Sequence, residues 1–338
     1  MAVFLRKLLV FVLIVGGVGG FVLWQDYRKF SDGPMEFSGH ELVLDVKLGT
    51  SFNQIVRKLS KENVSPAPRI YWRALAHEMK VLDGLRAGEY AIAPGMTPRK
   101  LLDRMAKGRV IHHQFTIIEG WRFSDLRLAL TKEPLLEQTM NGLSEAEIMT
   151  RIGRVDLPAE GRFLPETYSF VRGQKDIDVL KRAFGAMQRA LDKSWAERSP
   201  DSPLKSADEM LILASIVEKE TGQASDRPDI AGVFLRRLKI GMKLQTDPTV
   251  IYGIGASYNG NITRRHLETD TPYNTYTRYG LPPTPIALPG AASLIAVARP
   301  AAGDTLYFVA RGDGTTQFSA TLQEHNTAVV KHQLRGGG

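Results

Sequence analysis

The stretch Ser206-Ala-Asp-Glu-Met-Leu-Ile-Leu-Ala-Ser-Ile-Val-Glu-Lys-Glu-Thr-Gly222 reads as a helix that lies inside a folded core. Ser206 and Glu209 form a capping-box pair at its start, and Gly222 is a natural residue for the turn that ends it. From Met210 to Val217 it carries no charge, so it is buried nearly all round and the larger part of the chain packs about it. Glu218 closes this apolar run. At about 100° per residue it falls about 20° from Leu211 and about 40° from Ala214, on an apolar stripe. Glu220 falls about 200° further round, where it reaches solvent. A carboxyl held against an apolar wall keeps its proton more readily, which is the state a general acid starts from. The structural alternative makes Glu218 one member of a polar last turn with Lys219 and Glu220.

Other segments of the same half place polar and aromatic groups at turns. Glu160-Gly161-Arg162-Phe163-Leu164-Pro165-Glu166-Thr167-Tyr168 gathers two acids, an arginine and two aromatic rings. Gly241 to Val250 reads as a loop entering a helix, with Asp247 at N-cap, Pro248 at N1 and Gln245 just before them. Thr271-Pro272-Tyr273-Asn274-Thr275-Tyr276 sets tyrosines beside an amide, and Leu281-Pro282-Pro283-Thr284-Pro285-Ile286 with Pro289-Gly290 forms a stiff loop. Aromatic faces with amides suit a sugar, which has apolar C–H faces and a hydroxyl rim. Taken singly, each is ordinary turn and capping chemistry.

Towards the N-terminus the pattern becomes that of a smaller unit. Leu42–Val46 has strand composition and stops at Gly49-Thr50-Ser51. Phe52, Ile55, Val56 and Leu59 then make one helical stripe, and Trp72, Leu75, Ala76 and Met79 make a second. Gly88–Ile92 is a second strand and Pro98–Lys107 a third helix. Strand, helix, helix, strand resembles a LysM-like module, a fold found on cell-wall glycan binders. A fresh strand, Gln114–Ile118, opens the larger module, in which Leu126, Leu130, Leu143 and Ile148 are expected core positions.

Before all of this, Leu8 to Trp24 is a run of seventeen residues without a charge. That is about the lower limit for crossing a bilayer. Arg6 and Lys7 precede the run, and Trp24 and Tyr27 sit where interfacial aromatics belong. Trp24-Gln25-Asp26-Tyr27 makes a poor signal-peptidase site, which favours an uncleaved anchor. Flanking charge puts the N-terminus in the cytoplasm and the remainder outside. The expected order is a cytoplasmic tail (1–7), a transmembrane anchor (8–24), a linker (25–39), a LysM-like βααβ module (40–108) and a larger α+β catalytic domain (109–338). The whole is thus an α+β chain behind a single membrane helix.

The 338 residues are 43% hydrophobic and 24% charged, which excludes a disordered chain and a polytopic membrane protein. The 44 basic and 36 acidic residues give a net charge of +8, which favours anionic neighbours. A location outside the cytoplasm argues against nucleic acid as that neighbour. No cysteine is present, so disulfides, thiolate metal sites and cysteine nucleophiles are excluded. The seven histidines show neither HExxH nor zinc spacing, and His325 follows Glu324, which forms a capping box with Thr321. No phosphate-binding glycine loop or GxSxG elbow stands out. Neither a metal nor a cofactor is expected.

At this point the blocks Ala214-Ser215-Ile216-Val217-Glu218-Lys219-Glu220-Thr221, Leu244-Gln245-Thr246-Asp247-Pro248-Thr249-Val250, Tyr273-Asn274-Thr275-Tyr276 and Gly280-Leu281-Pro282-Pro283 resemble the signature blocks of the YceG-like endolytic murein transglycosylases. Glu160-Gly161 to Tyr168, Leu306-Tyr307-Phe308-Val309-Ala310 and Glu324-His325-Asn326 resemble family blocks too. The resemblance covers essentially the whole chain, in order. Arg236, where the family usually has asparagine, and Thr284, where it usually has glycine, depart from the pattern. The resemblance implies non-hydrolytic cleavage of the β-1,4 bond between N-acetylmuramic acid and N-acetylglucosamine, leaving 1,6-anhydro ends, with Glu218 as general acid and then base. Gln245, Asp247, Tyr273, Asn274 and Tyr276 are the candidates for holding the glycan, together with Glu166, which is the second carboxylate if the enzyme hydrolyses instead. Nascent glycan strands are the expected substrate, peptidoglycan synthases the expected partners, and the inner membrane the expected location. Two alternatives remain open: a two-carboxylate muramidase using Glu218 with Glu166 or Glu160, and a wall-binding scaffold without catalysis.

Overall fold

A computed structural model describes residues 2–35 and 41–334. Residues 36–39 of the expected linker, His40 at the head of the expected small module and the glycine tail after Leu334 lie outside the described residues. The chain divides into two compact units, Met1–His113 and Gln114–Gly338.

The first unit begins with α1 (Ala2–Asp32), which runs eight residues past Trp24, so residues 25–32 are helical and not tether. Its segment from Phe4 onward is long and apolar enough to cross a bilayer, and the side chains of that apolar window are exposed. Beyond it the helix changes role. Phe30 meets the buried Trp72 edge-on with ring centroids 5.1 Å apart, and Asp32 pairs with Arg99 at 2.8 Å. The following elements come in the order expected from the sequence: β1 (Leu42–Val46), α2 (Phe52–Lys61), α3 (Arg69–Glu78), β2 (Gly88–Ile92) and α4 (Pro98–Lys107). β1 and β2 pair antiparallel, with Leu44 opposite Tyr90. Leu44 and Val46 face inward at the period of two, onto the buried stripe Ile55, Val56 and Leu59 of α2.

In the second unit β3 (His113–Thr116) pairs with β4 (Thr167–Phe170), while α5 (Phe123–Thr131) and α6 (Glu145–Ile152) lie between them in sequence. Leu126, Leu130 and Ile148 are fully buried there, and Leu143 is partly buried against the same cluster. The long α7 (Asp176–Ala196) belongs to both cores of the unit, with Leu180 in the first and Leu191 in the second. The second core is built on α8 (Ala207–Glu220). Every side chain from Met210 to Val217 is buried, as the uncharged run required. α8 packs against α7, α9 (Arg227–Lys239) and α12 (Ala291–Ala298). Between the last two come α10 (Asp247–Ile254) and α11 (Arg264–Glu268). A hairpin of β5 (Tyr307–Ala310) and β6 (Thr316–Ser319) then leads to α13 (Leu322–Val329), which packs on it.

Candidate active site

The end of α8 is fastened from one side by the chain between residues 284 and 293. The buried Ser215 hydroxyl donates to Ile212 O at 2.7 Å and accepts the Ile286 amide at 3.0 Å. One turn further on, Glu218 Oε2 accepts the Gly290 amide at 2.9 Å and the Ser293 hydroxyl at 2.7 Å. Gly290 is the N-cap residue of α12, so the carboxyl meets the positive end of a helix. Arg227, at the start of α9, donates to Oε1 at 3.3 Å and lies 3.5 Å from Glu119. The Glu218 side chain is only 4% exposed. The apolar wall expected around its oxygens is therefore not what meets them: the helix delivers the carboxyl to three donors. The Glu119 carboxyl lies close over Gly290, where a β-carbon would displace it.

Glu220, expected to reach solvent, is half-buried and lines a cavity of about 550 Å³ together with Gln245, Asp247, Tyr276, His325 and Asn326. α8 leaves this face free, and α9, β5 and α13 come round to enclose it. Glu220 Oε1 accepts a short hydrogen bond from the Thr246 hydroxyl. Burial pushes the Glu220 carboxyl up to about 7, with the nearby Asp247 adding to the rise. Asp247 Oδ1 accepts the Tyr276 hydroxyl at 2.6 Å, and burial raises that phenol well above its ordinary range. The loop before α10 is held by buried threonines, with the Thr246 amide on Thr275 Oγ1 at 3.1 Å and Thr249 Oγ1 at 2.9 Å from the same atom. α10 starts one residue earlier than expected: Thr246 is its N-cap and Asp247 its first residue.

The other expected glycan contacts have different occupations. Asn274 is 1% exposed, and its amide donates to the carbonyls of His266, Leu267 and Thr269, closing the C-terminal end of α11. Tyr273 hydrogen-bonds Thr284 at 2.8 Å and packs against Tyr252 with ring centroids 4.9 Å apart. Glu166 is exposed at the entry to β4 and is not among the residues lining the Glu220 cavity. Glu160 is buried, accepts the Phe123 amide at 3.0 Å and the Tyr252 hydroxyl at 3.1 Å, and is pushed up by burial to about 7. Ser293 and Arg227 were not singled out from the sequence, and Gly290 was read only as part of a stiff loop with Pro289. A Pro-Gly pair leading into Ala291-Ala-Ser293 is a helix start, and such a start is matched to an anion. Among the described residues no three or more His, Asp or Glu side chains are grouped to hold a metal ion.

Residues 44–331 match the model of the YceG-like family. The chain belongs to the YceG-like family. Its relatives include the endolytic murein transglycosylase of Bacillus subtilis, 28% identical over 333 residues that cover 93% of this chain and 91% of that protein. The endolytic murein transglycosylase of Streptococcus pneumoniae is 26% identical over 97% of this chain, which spans 65% of that longer protein. The crystal structure of a yceG-like protein from Listeria monocytogenes superposes with a TM-score of 0.55 at 29% identity, over 85% of this chain and 98% of that one. The two departures from the family pattern lie apart from the Glu218 carboxyl. Arg236 ties α9 to Thr305 and Ala301 through three hydrogen bonds of 2.7–3.1 Å, and Thr284 bridges Tyr273 to Pro285 O.

Proposed function

We propose that this YceG-like protein is a lyase acting on peptidoglycan, a lytic transglycosylase that cleaves glycan strands endolytically without consuming water. The observation that carries the reading is the Glu218 carboxyl, set at the end of a buried helix with Oε2 held by the Gly290 amide and the Ser293 hydroxyl. Oε1 has the longer contact, 3.3 Å from Arg227, and is the oxygen assigned to proton transfer. It gives its proton to the bridging glycosidic oxygen as the bond to the muramic anomeric carbon breaks. The C6 hydroxyl of the same sugar then forms the new bond to that carbon, and its proton returns to the carboxylate. Because the nucleophile is tethered, its effective concentration reaches about 10⁵–10⁸ M in well-oriented cases. One carboxyl therefore serves both steps, where most glycoside hydrolases need two. Gln245, Asp247 and Tyr276 hold the strand.

In the same reading α1 anchors the chain in the inner membrane with its N-terminus in the cytoplasm. The βααβ unit acts as a LysM-like module, and the second unit works outside the cytoplasm on nascent strands beside the peptidoglycan synthases, ending strand growth. Glu218→Gln is expected to abolish cleavage while leaving the fold intact. Mass spectrometry of strands digested in ¹⁸O-labelled water separates the chemistries. The expected products end in 1,6-anhydro sugars free of label, and labelled reducing ends overturn the reading in favour of a muramidase.

A further inference from the structure

The net charge of the chain is unevenly divided between its two units. Seventeen basic and ten acidic residues lie within residues 1–113, against 27 and 26 in the rest, so almost the whole excess belongs to the unit that carries α1. If α1 crosses the membrane, only Arg6 and Lys7 of that excess stay on the inner side. Depth on the outer side follows from the helix itself. The apolar run ends at Trp24 and an α-helix rises about 1.5 Å per residue, so residues 27–30 stand about 4–9 Å beyond the hydrocarbon edge, in and just above a headgroup layer about 5–8 Å thick. α3 is joined to α1 at that level. The Tyr27 and Tyr71 rings meet edge-on with centroids 5.9 Å apart, Phe30 lies 5.8 Å from Tyr71 and 5.1 Å from Trp72, and the Tyr27 hydroxyl donates to Glu78. The first turn of α3 is thereby held beside the lipid surface and cannot swing away without breaking these ring contacts.

That turn is basic and apolar on its outer side. Arg69 and Arg73, one helical turn apart, are exposed, and Ile70 between them is 68% exposed. Among the described residues, Arg69, Arg73 and Lys29 of α1 form no hydrogen bond or ion pair between side chains. The acids of the joint are already satisfied: Asp32 pairs with Arg28 at 3.3 Å and with Arg99 at 2.8 Å, and Glu78 pairs with Arg99 at 2.8 Å. On the joined ends of α1 and α3 this leaves Lys29, Arg69 and Arg73 against Asp26. Free cations around an exposed isoleucine at headgroup depth fit a phospholipid surface, where phosphate meets the cation and the interface takes the apolar side chain. An anionic headgroup gains most, since each basic residue beside a charged bilayer tightens binding about fivefold. A zwitterionic headgroup gains little, because its own cation opposes the arginines.

We propose that the outer side of the first turn of α3, with Lys29 of α1, binds anionic phospholipid headgroups in the leaflet from which α1 emerges, and so fixes the tilt of the first unit on the membrane. The inference rests on the reading of α1 as a membrane anchor. The ring contacts supply the rigid joint, and the lipid phosphates supply the partners that Lys29, Arg69 and Arg73 lack within the fold.

The test mixes the full chain in non-ionic detergent with equal amounts of dimyristoylphosphatidylglycerol and dimyristoylphosphatidylcholine, whose tails are identical, and counts the retained lipids by native mass spectrometry. At about fivefold per cation, three cations give the anionic lipid a preference of up to about 100-fold, and Arg69→Gln with Arg73→Gln should bring it down to about fivefold. Both arginines are exposed and unpaired, so the fold survives their loss, which urea unfolding checks. The same loss of charge on α2, Arg57→Gln with Lys61→Gln, should leave the preference unchanged. Equal retention of the two lipids, or an equal drop in the α2 variant, overturns the inference. Displacement of the bound lipid by lipid-free poly(glycerol phosphate) overturns it too, since the face then serves a soluble polyanion. Washing of cell membranes with alkaline carbonate keeps the two readings apart. A chain that stays in the membrane and shows no headgroup preference overturns this inference alone, whereas a chain washed off overturns the anchor reading as well.

Discussion

Replacing Ser293 by alanine removes one of the three donors that hold Glu218, and little else. Ser293 is fully buried, its hydroxyl lies 2.7 Å from Oε2, and the carboxyl side chain is 4% exposed, so water has no room to take the vacated place. A hydrogen bond to a charged group contributes about 1.5–3 kcal/mol, roughly twice a neutral one. If that bond orients the carboxyl for proton transfer, the cleavage rate should fall about 10- to 150-fold, at about 1.4 kcal/mol per decade. The Gly290 amide at 2.9 Å remains, so activity is reduced and not abolished. Initial rates of 1,6-anhydro product formation by the full chain, with urea unfolding alongside, measure both consequences. The decisive comparison is stability in the Glu218→Gln background. There the partner is a neutral amide, and Ser293→Ala should cost only about 0.5–1.5 kcal/mol. An unchanged cleavage rate, or the same stability cost in both backgrounds, would show that the hydroxyl does not act through the carboxylate.

Leu213→Ala empties a fully buried position at the centre of α8 and should lower the stability of the second unit by about 2–5 kcal/mol, read from urea unfolding. Asn274→Ala strips three backbone carbonyls of their donor and the Tyr276 amide of its acceptor, and should cost about 1–3 kcal/mol of stability, read from urea unfolding. Glu160 titrates near 7 in the folded protein, above its ordinary 4.5, so between those values the folded state holds a proton that the unfolded chain has released. Glu160 should therefore contribute a decline of stability with rising pH across that window of up to about 1.4 kcal/mol per pH unit, and Glu160→Gln should remove that share while leaving the one from Glu220, which is raised to about 7 as well.

What the chain dictates locally could be read from it directly. The uncharged run Met210–Val217 announced a helix buried on every side, because no surface helix can present eight such positions to water. Thr321 with Glu324, and Ser206 before Glu209, announced helix starts, since a capping bond joins residues three apart. The order β1, α2, α3, β2 followed from a change of hydrophobic period. The end of α1 did not: residues 25–32 stay helical because Phe30 and Asp32 find Trp72 and Arg99 about 40 and 70 residues away. The same physics divides the site. A helical wheel gives the direction of Glu218 and Glu220 from the axis, and nothing about what arrives on each side. Gly290 and Ser293 come from more than seventy residues further on to meet one carboxyl, and α13 returns from a hundred residues away to wall in the other. Backbone angles and caps are settled between near neighbours, whereas donors, burial and cavities depend on which distant segments the core brings together.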